Sequence, residues 1–263
     1  MKRFVFFAYS VLAYTFFLGT FLYAVGFVGN FRFEPWPGWV FVPRSMDLGG
    51  EAGPVGQALL VDALLLGLFA LQHSGMARRG FKQRWTRVVP PVIERSTYVL
   101  FSSAALATLL AFWRPLGFAV WAASDPSVQA ALVVASLAGW LTALAATFHI
   151  DHFSLFGLRQ TWSALRGREV PAHRFVTPGL YRYVRHPLYL GFLVAFWATP
   201  VMTLGHLVFA LATTGYILVA IQLEERDLVR EYGPDYLRYR QQVPMLTPLP
   251  RRPEPAPEAK LEP

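Results

Sequence analysis

Two polar clusters stand at the ends of a long uncharged stretch in the second half of this chain. The first, Tyr-Arg-Tyr-Val-Arg-His, covers residues 181–186, and the second begins with Glu224-Glu225. Between them, residues 187–223 include no Asp, Glu, Lys or Arg. Arginine, histidine, carboxylate and tyrosine side chains supply the donors, acceptors and rings that bind a small charged ligand. We therefore predict a site for a small charged cofactor where the clusters meet, beside a lipid-facing pocket.

The composition indicates that membrane helices position these clusters. Of the 263 residues, 54% are hydrophobic and 15% are charged, whereas a soluble domain usually carries about 25% charged residues. A helix crosses the hydrocarbon core with about 20 mostly apolar residues. Runs of this kind cover 4–28, 55–74, 96–113 and 128–150. The first is longer than the apolar part of a signal peptide, about 7–15 residues, so we interpret it as a retained span.

The uncharged stretch 187–223 is predicted to form a hairpin. Two full spans and a turn would need more than about 40 residues. A short first arm at 188–199 and a longer second arm at 204–223 fit the length better. The predicted fold is an all-α membrane protein, in which a bundle of four transmembrane helices is followed by a C-terminal helical hairpin, with five or six spans.

The distribution of positive charge predicts the orientation of the bundle. With a cytoplasmic N-terminus, all of the 24 lysines and arginines except Arg32, Arg44 and Arg114 fall on the cytoplasmic side. The positive-inside rule favours this topology, which puts both polar clusters at the cytoplasmic face. The net charge of +8 then follows from orientation and from contact with anionic membrane lipids. Nucleic acid is therefore not expected as a partner.

The chain is predicted to contain one membrane domain and a tail. The domain covers 1–247 and includes the predicted cofactor-binding block, 177–244. Residues 248–263 are rich in proline and are predicted to be disordered. The absence of cysteine excludes disulfides, thiolate metal sites and cysteine nucleophiles.

The block 177–244 resembles the isoprenylcysteine carboxyl methyltransferase-like family of membrane methyltransferases. The matching residues are Gly179-Leu-Tyr181, Arg185-His186-Pro187-x-Tyr189-x-Gly191, Glu224-Glu225, Tyr232-Gly233-x-x-Tyr236-x-x-Tyr239 and Val243-Pro244. The resemblance implies a bundle of membrane helices. It also implies S-adenosyl-L-methionine as the cofactor, bound on the cytoplasmic side, which agrees with the predicted topology.

The amino-terminal part is similar to a bacterial branch of that superfamily, the methanethiol S-methyltransferases. The similar segments are FLYAVGFVGN at 21–30, PRSMD at 43–47, LQHS at 71–74, ERSTY at 94–98, and DHF and FGL within 151–158. This similarity implies conversion of methanethiol to dimethyl sulfide in a bacterial-type inner membrane, with the active site facing the cytoplasm. The expected partners are the small-molecule thiol and membrane lipids, and no required protein partner is evident.

The chemistry of the matching residues assigns them parts of this cofactor. Arg185 and His186 can bind its carboxylate through charge-assisted hydrogen bonds, while Glu224 and Glu225 can accept from its ammonium or ribose hydroxyls. Tyrosine rings offer stacking surfaces and favour a nearby cation, and glycines allow close backbone approach. The predicted cofactor-binding residues are Gly179, Tyr181, Arg185, His186, Tyr189, Gly191, Glu224, Glu225 and Tyr236.

A thiol acceptor also needs a base or a cation, because the thiolate is the nucleophile. The predicted catalytic residues are His73, Arg95 and His152, which stand at the inner ends of the second, third and fourth helices. His73 is the first candidate base, and His152 is a similar candidate. Arg95 could orient the base or stabilise the thiolate. No metal is expected to take part.

Three alternatives stay open. The same methyl transfer could act on a lipid amine or on the carboxylate of a prenylated chain. A metal-dependent membrane enzyme would use His149-x-x-His152 with Asp151, although two histidines do not complete a site of three or four ligands. A transporter would use Asp62, the only carboxylate deep in a predicted span.

Overall fold

The computed structural model describes residues 1–31, 42–50, 53–169 and 175–247. The predicted disordered tail, 248–263, lies outside these ranges. Within them, five helices are long and apolar enough to cross a membrane. The predicted all-α membrane fold, with four helices followed by a helical hairpin, is confirmed.

The first part of the chain forms four helices. These are α1 (Lys2–Val28), α2 (Val55–Ala77), the short α3 (Arg79–Trp85) and α4 (Pro91–Phe112). Proline stands in the first turn of α4, where its missing N–H costs no helical hydrogen bond. Helix α4 packs between α1 and α2, so half of its most apolar window is buried inside the protein.

The middle of the chain forms one long helix and two short ones. Helix α5 (Pro126–Ile150) is followed by α6 (His152–Leu155) and α7 (Leu158–Leu165). The Asp125 carboxylate caps α5 by accepting the N–H of Ser127 at 2.7 Å, a favourable helix start. Helix α7 returns along α1, which holds α6 at the end of the bundle.

The predicted hairpin is present, with one correction to its length. A 3₁₀ turn (Gly179–Arg182) leads into the short arm α8 (Pro187–Trp197), the long arm α9 (Leu204–Tyr232) and then α10 (Pro234–Gln242). The prediction that the second arm ends at residue 223 is wrong. The helix continues to Tyr232 through charged residues, and these pair with the residues after α2, as in the 2.9 Å ion pair between Arg79 and Glu231.

Two short strands at the other end of the bundle were not predicted. Strand β1 (Ala119–Ala122) pairs antiparallel with β2 (Val201–Thr203), and Trp121 is opposite Met202. The ribbon ties the connection between α4 and α5 to the turn of the hairpin. Strands this short carry no alternation long enough to be seen in a sequence.

Close contact between α5 and α8 fixes the start of the hairpin. A Cβ added to Gly139 of α5 would lie 2.6 Å from the carbonyl oxygen of Gly191, and one added to Gly191 would lie 2.6 Å from that of Gly139. The two backbones therefore touch, as small residues allow between membrane helices. This packing positions the polar residues that precede α8.

Contacts between helix ends show that the predicted polar segments meet at one end of the bundle. The ion pair from Arg78, which directly follows α2, to Asp227 at 3.5 Å joins the end of α2 to the last part of α9. Arg95 near the start of α4 donates to the carbonyl of Leu155 in α6. The polar ends of α2, α4, α6 and α9 thus lie together, opposite the ribbon.

Candidate functional site

Main-chain hydrogen bonds hold the loop before α8 against the residues after α10. The N–H of Arg185 donates to the carbonyl of Pro244 at 2.9 Å, and the N–H of His186 donates to that of Met245 at 3.2 Å. Pro187 then occupies the first position of α8, where no N–H is needed. This pairing brings residues 244 and 245 beside the first polar cluster predicted from the sequence.

The first polar group, which we call the arginine cluster, consists of Arg185, His186, Glu225, Tyr236 and Tyr239. Arg185 Nε donates to Glu225 Oε1 at 2.7 Å, and His186 Nε2 lies 3.1 Å from the same oxygen. The side chains of Arg185 and Glu225 are only 4% and 10% exposed. A carboxylate at this depth needs such partners, because removing one leaves a buried unpaired charge.

Arg185 also binds the main chain. Its Nη1 donates to the carbonyl of Arg240 at 2.9 Å and to that of Val243 at 2.6 Å. With the bond to Glu225, these contacts use three of the five N–H donors of the guanidinium. Arg185 therefore joins α8, α9 and the end of α10 to one another. Its predicted contact with a cofactor carboxylate stays a prediction, to be made by the remaining donors.

The tyrosines of α10 complete the arginine cluster. Tyr239 Oη donates to the carbonyl of Tyr181 at 2.6 Å, and burial raises the pKa of Tyr239 to about 12. Tyr236 is 1% exposed, and its hydroxyl has no hydrogen-bond partner among the residues described. Burial and the Glu225 charge raise the pKa of Tyr236, so the phenol stays protonated. An unpaired buried donor costs about 1–3 kcal/mol, so a ligand acceptor fits here.

Both glycines predicted to approach the cofactor contact other parts of the protein. Gly191 touches the backbone of α5, as described above. Gly179 has a φ of +53°, and an added Cβ would overlap the imidazole of His149. Helix packing therefore requires both positions to be small, and a separate contact with the cofactor stays a prediction.

The second polar group, which we call the tyrosine cluster, consists of His73, Tyr98, Tyr189, Tyr216 and Glu224. Tyr98 Oη lies 3.1 Å from Nε2 and 3.2 Å from Nδ1 of His73. Tyr189 Oη donates to Glu224 Oε2 at 3.0 Å. The hydroxyls of Tyr98, Tyr189 and Tyr216 are close enough to interact electrostatically with one another. Four helices, α2, α4, α8 and α9, thus direct polar groups toward one region.

Two of the three predicted catalytic residues meet at the tyrosine cluster. His73 is half-buried and stacks on Phe69, with 5.2 Å between the ring centroids. The guanidinium carbon of Arg95 lies 5.0 Å from the ring centroid of Tyr98, which itself contacts His73. Arg95 Nε donates to the carbonyl of Leu155 at 2.6 Å, so this cation is held in place over the ring.

The third predicted catalytic residue, His152, has its partners on α1 and α5 and not in the tyrosine cluster. Its Nε2 lies 2.8 Å from Tyr14 Oη of α1, and its Nδ1 lies 2.7 Å from Thr147 Oγ1 of α5. The ring stacks on Phe148 at 4.1 Å, and burial lowers the pKa of His152. The hydrogen bonds of the two ring nitrogens therefore connect α1 to α5 through His152. Its catalytic role stays a prediction, with less geometric support than that of His73.

The metal and transport alternatives rest on residues that have other partners here. His149 Nδ1 bonds the carbonyl of Ala145 at 2.7 Å, while Asp151 pairs with Arg159. Asp62 is fully buried and accepts the N–H of Arg114 at 2.9 Å. This carboxylate joins α2 to the end of α4.

Sequence reasoning gave no role to Tyr98 and Tyr216. Tyr98 follows Arg95 by three positions, which places both on one face of α4. Tyr216 lies in an otherwise apolar part of α9, and its Oη is 2.9 Å from Ser74 Oγ at the end of α2. The available signal in the sequence was the Tyr216 hydroxyl within an uncharged span. Its partner, Ser74, lies on a different helix, so the contact could not be predicted before the packing of the helices was known.

The chain matches the Isoprenylcysteine carboxyl methyltransferase (ICMT) family over residues 140–230. The match includes α8 and most of α9, so it contains Arg185 and His186 just before α8 and Glu224 and Glu225 in α9. No solved protein structure matches the chain at a significant level.

Similarity to individual proteins extends over nearly the whole chain. The chain is 51% identical over 252 residues to methanethiol S-methyltransferase of Mycobacterium tuberculosis, covering 96% of this chain and 99% of the relative. It is 52% identical over 240 residues to methanethiol S-methyltransferase 2 of Bradyrhizobium diazoefficiens, covering 91% and 88%. Nurim of Xenopus laevis is 33% identical over 175 residues, covering 64% and 61%.

Proposed function

This chain belongs to the methanethiol S-methyltransferase family, and from that membership we propose that it transfers a methyl group from S-adenosylmethionine to the sulfur of methanethiol. The products are dimethyl sulfide and S-adenosylhomocysteine. The observation that carries the proposal is 51% identity to a protein of that name over 96% of this chain. The tyrosine cluster supports it, because a half-buried histidine there can take a proton from a small thiol.

The chemistry of the two clusters fits the proposed cofactor. The unpaired buried hydroxyl of Tyr236 can donate to an acceptor, and the exposed carboxylate of Glu224 can accept from an ammonium or hydroxyl group. The tyrosine rings favour a nearby cation. When bound, S-adenosylmethionine supplies a methyl group on a positively charged sulfur. The residues proposed to hold it are Gly179, Tyr181, Arg185, His186, Tyr189, Gly191, Glu224, Glu225 and Tyr236.

The protein's part in the reaction is to position the acceptor, remove its proton and exclude water. His73 is the proposed base, and Arg95 stabilises negative charge near Tyr98. His152 is the second candidate base. The turnover of a His152 variant would show whether a residue of α6 takes part in the reaction. Holding reactants in line and away from water lowers the barrier without further chemistry from the protein.

The proposed location follows from the membrane fold and the charge distribution. The chain is an integral membrane protein, as its five apolar helices and its family show. We place it in a bacterial-type inner membrane with both clusters facing the cytoplasm, because nearly all positive residues would then lie inside. The proposed partners are methanethiol and membrane lipids, with no nucleic acid or protein partner required.

The lipid-acceptor alternative finds little support in a large groove between α1 and α4. A cleft of about 730 Å³ lies between α1 and α4 and is lined by Leu12, Gly19, Tyr23 and Ala107, among others. Tyr98 precedes Ala107 by nine positions, which is about 14 Å along the helix. The cleft thus lies away from the tyrosine cluster and toward the opposite face of the membrane.

Product analysis tests the proposal directly. Purified full-length protein in lipid nanodiscs, given methanethiol and S-adenosylmethionine with a labelled methyl group, should release labelled dimethyl sulfide and an equal amount of S-adenosylhomocysteine. Parallel reactions with an amine lipid and a prenylcysteine test the alternatives. Labelling of either one in place of methanethiol would assign a different acceptor, and no labelling with any acceptor would contradict the proposed function.

A further inference from the structure

The groove between α1 and α4 is apolar along most of its length and carries a positive charge at one end. Among the described residues that line it, Arg44 is the only charged one. The groove follows α1 from Leu12 to Tyr23, which is about 16 Å along a helix. One leaflet of the hydrocarbon core has a similar depth, about 15 Å. The groove therefore has the length of one leaflet and ends where Tyr23 contacts Arg44.

Small side chains leave the groove open in its middle. Gly19 of α1 lines it together with Ala107 and Ala111 of α4. A Cβ added to Gly19 would meet no atom within 4 Å. The volume of about 730 Å³ lies within the range of sites that bind small molecules, about 300–1,000 Å³. A flexible acyl chain can fill such a groove and gain dispersion contacts along its whole length.

Arg44 is anchored at the end of the groove through its main chain and its side chain. The carbonyl of Arg44 accepts the hydroxyl of Tyr23 at 2.9 Å, and Arg44 Nη2 donates to the carbonyl of Trp113 at 3.4 Å. The second contact uses one of the five N–H donors of the guanidinium. A phosphate group can accept two guanidinium N–H groups at once, which makes it a suitable ligand for this side chain.

Two carboxylates at the same end of the bundle have other partners. Asp47 accepts from Asn30 Nδ2 at 2.7 Å, and Asp62 accepts the N–H of Arg114 at 2.9 Å. None of the ion pairs in the described ranges includes Arg44. The positive charge at the end of the groove is therefore available to an anionic group from the membrane.

We propose that the groove binds one glycerophospholipid, with an acyl chain beside Gly19 and the phosphate on Arg44. The lipid belongs to the leaflet on the side of the bundle away from the tyrosine cluster, so it is a bound lipid and not the methyl acceptor. It connects the ends of α1 and α4 to the segment that carries Arg44. The inference goes beyond the proposed function and does not depend on it.

A second copy of the chain fits this groove less well than a lipid. Two copies in the same membrane orientation, related by a twofold axis through the groove, would place their Arg44 side chains at the same depth. No carboxylate lines the described part of the groove to compensate the two charges. Like charges repel strongly where the dielectric constant is low. A phospholipid instead brings the opposite charge to the position of Arg44.

Native mass spectrometry tests whether the groove holds the lipid. Full-length protein, purified in detergent and titrated with dioleoylphosphatidylglycerol, should bind one lipid more tightly than any further ones. Gly19→Leu fills the groove and should abolish this tight binding. Gly215→Leu, at an exposed position of α9 where an added Cβ also meets nothing within 4 Å, is the matched control and should keep it. Equal tight binding by Gly19→Leu and the wild type would overturn the proposal.

The headgroup contact has a separate test in the same titration. Arg44→Gln should weaken phosphatidylglycerol binding by about 10-fold or more, because a charge-assisted hydrogen bond is lost. Arg114→Gln removes an arginine that does not line the groove and should bind like the wild type. Dioleoylglycerol, which has the same chains and no phosphate, should bind weakly and equally to Arg44→Gln and the wild type. Unchanged phosphatidylglycerol affinity in Arg44→Gln, or a dimer that Gly19→Leu dissociates, would overturn the proposal.

Discussion

The arginine cluster and the tyrosine cluster share helix α9, yet their polar groups have opposite surroundings. Glu225 belongs to the first and is buried against Arg185 and His186. Glu224, its neighbour in sequence, is exposed and bonded to Tyr189. Successive helical residues point about 100° apart, so adjacent glutamates reach different regions. We infer from this difference that groups whose hydrogen-bonding capacity is used within the protein stabilise the fold, and we propose that groups with capacity left over take part in the reaction.

Arg185 and Arg95 differ in the same way in how many of their donors bond to the protein. Arg185 uses its donors on Glu225 and on two main-chain carbonyls, so it fixes the segment after α10. Arg95 has one such bond, to Leu155, and its charge lies over the ring of Tyr98. Removing the first cation should therefore damage the structure, and removing a member of the tyrosine cluster should damage turnover.

Arg185→Ala should have the largest effect on stability. It leaves the buried Glu225 carboxylate with only His186 and Arg240 as partners, at 3.1 and 3.4 Å, and leaves two carbonyls without their donor, which is expected to cost about 3 kcal/mol. Thermal unfolding in nanodiscs measures this loss, and cofactor affinity should fall with it. Arg182→Ala, an exposed arginine in the preceding turn, is the matched control and should behave as wild type. Equal melting temperatures of Arg185→Ala and Arg182→Ala would contradict the structural role assigned to the arginine cluster.

Gly191→Ala should have the next largest effect, because the start of α8 depends on contact with α5. The added methyl would lie 2.6 Å from the carbonyl oxygen of Gly139, and overpacking of this kind costs about 1–3 kcal/mol. Gly215→Ala in α9 meets nothing within 4 Å and should be neutral or slightly stabilising. The melting temperatures of Gly191→Ala and Gly215→Ala, each compared with that of the wild type, measure this difference. A stable Gly191→Ala variant would show that α8 can move away from α5.

Glu224→Gln tests whether the two neighbouring glutamates differ in their effects on stability and on cofactor binding. Removing an exposed charge should leave the melting temperature nearly unchanged, while loss of a charge-assisted hydrogen bond should weaken cofactor binding about tenfold. Isothermal calorimetry with S-adenosylhomocysteine measures the affinity. Glu225→Gln should instead lower stability, since it breaks the ion pair with Arg185. Interchanged results would reverse the roles assigned to the two clusters.

The smallest expected effect is a pH dependence of stability from His152. Burial lowers the pKa of His152 in the folded protein, so the unfolded chain binds its proton first as the pH falls. Stability is therefore full above about pH 6.5 and declines as the pH drops toward the folded pKa. Melting temperatures from pH 8 to pH 5 should show less of this decline in His152→Gln. An unchanged decline would assign the effect to other groups.

Hydrophobic runs predicted the spans well because lipid imposes a minimum length of apolar helix. They could not predict the end of α9, since the helix continues beyond the apolar run into charged residues that lie outside it and pair with Arg78 and Arg79. The motifs placed Arg185 and Glu225 in one predicted cofactor site, and the two side chains form an ion pair at 2.7 Å. They did not show that three N–H groups of Arg185 donate to other parts of the protein, nor that Tyr98 contacts His73. Both contacts depend on how helices distant in the sequence pack together.

The most direct test of the division between the clusters is the turnover of His73→Gln. Dimethyl sulfide formation should fall by about 100-fold or more, as expected when a general base is lost. The melting temperature and the affinity for S-adenosylhomocysteine should match those of the wild type. Turnover equal to the wild type, or a fall that merely follows a loss of cofactor binding, would contradict the claim that the tyrosine cluster activates the thiol.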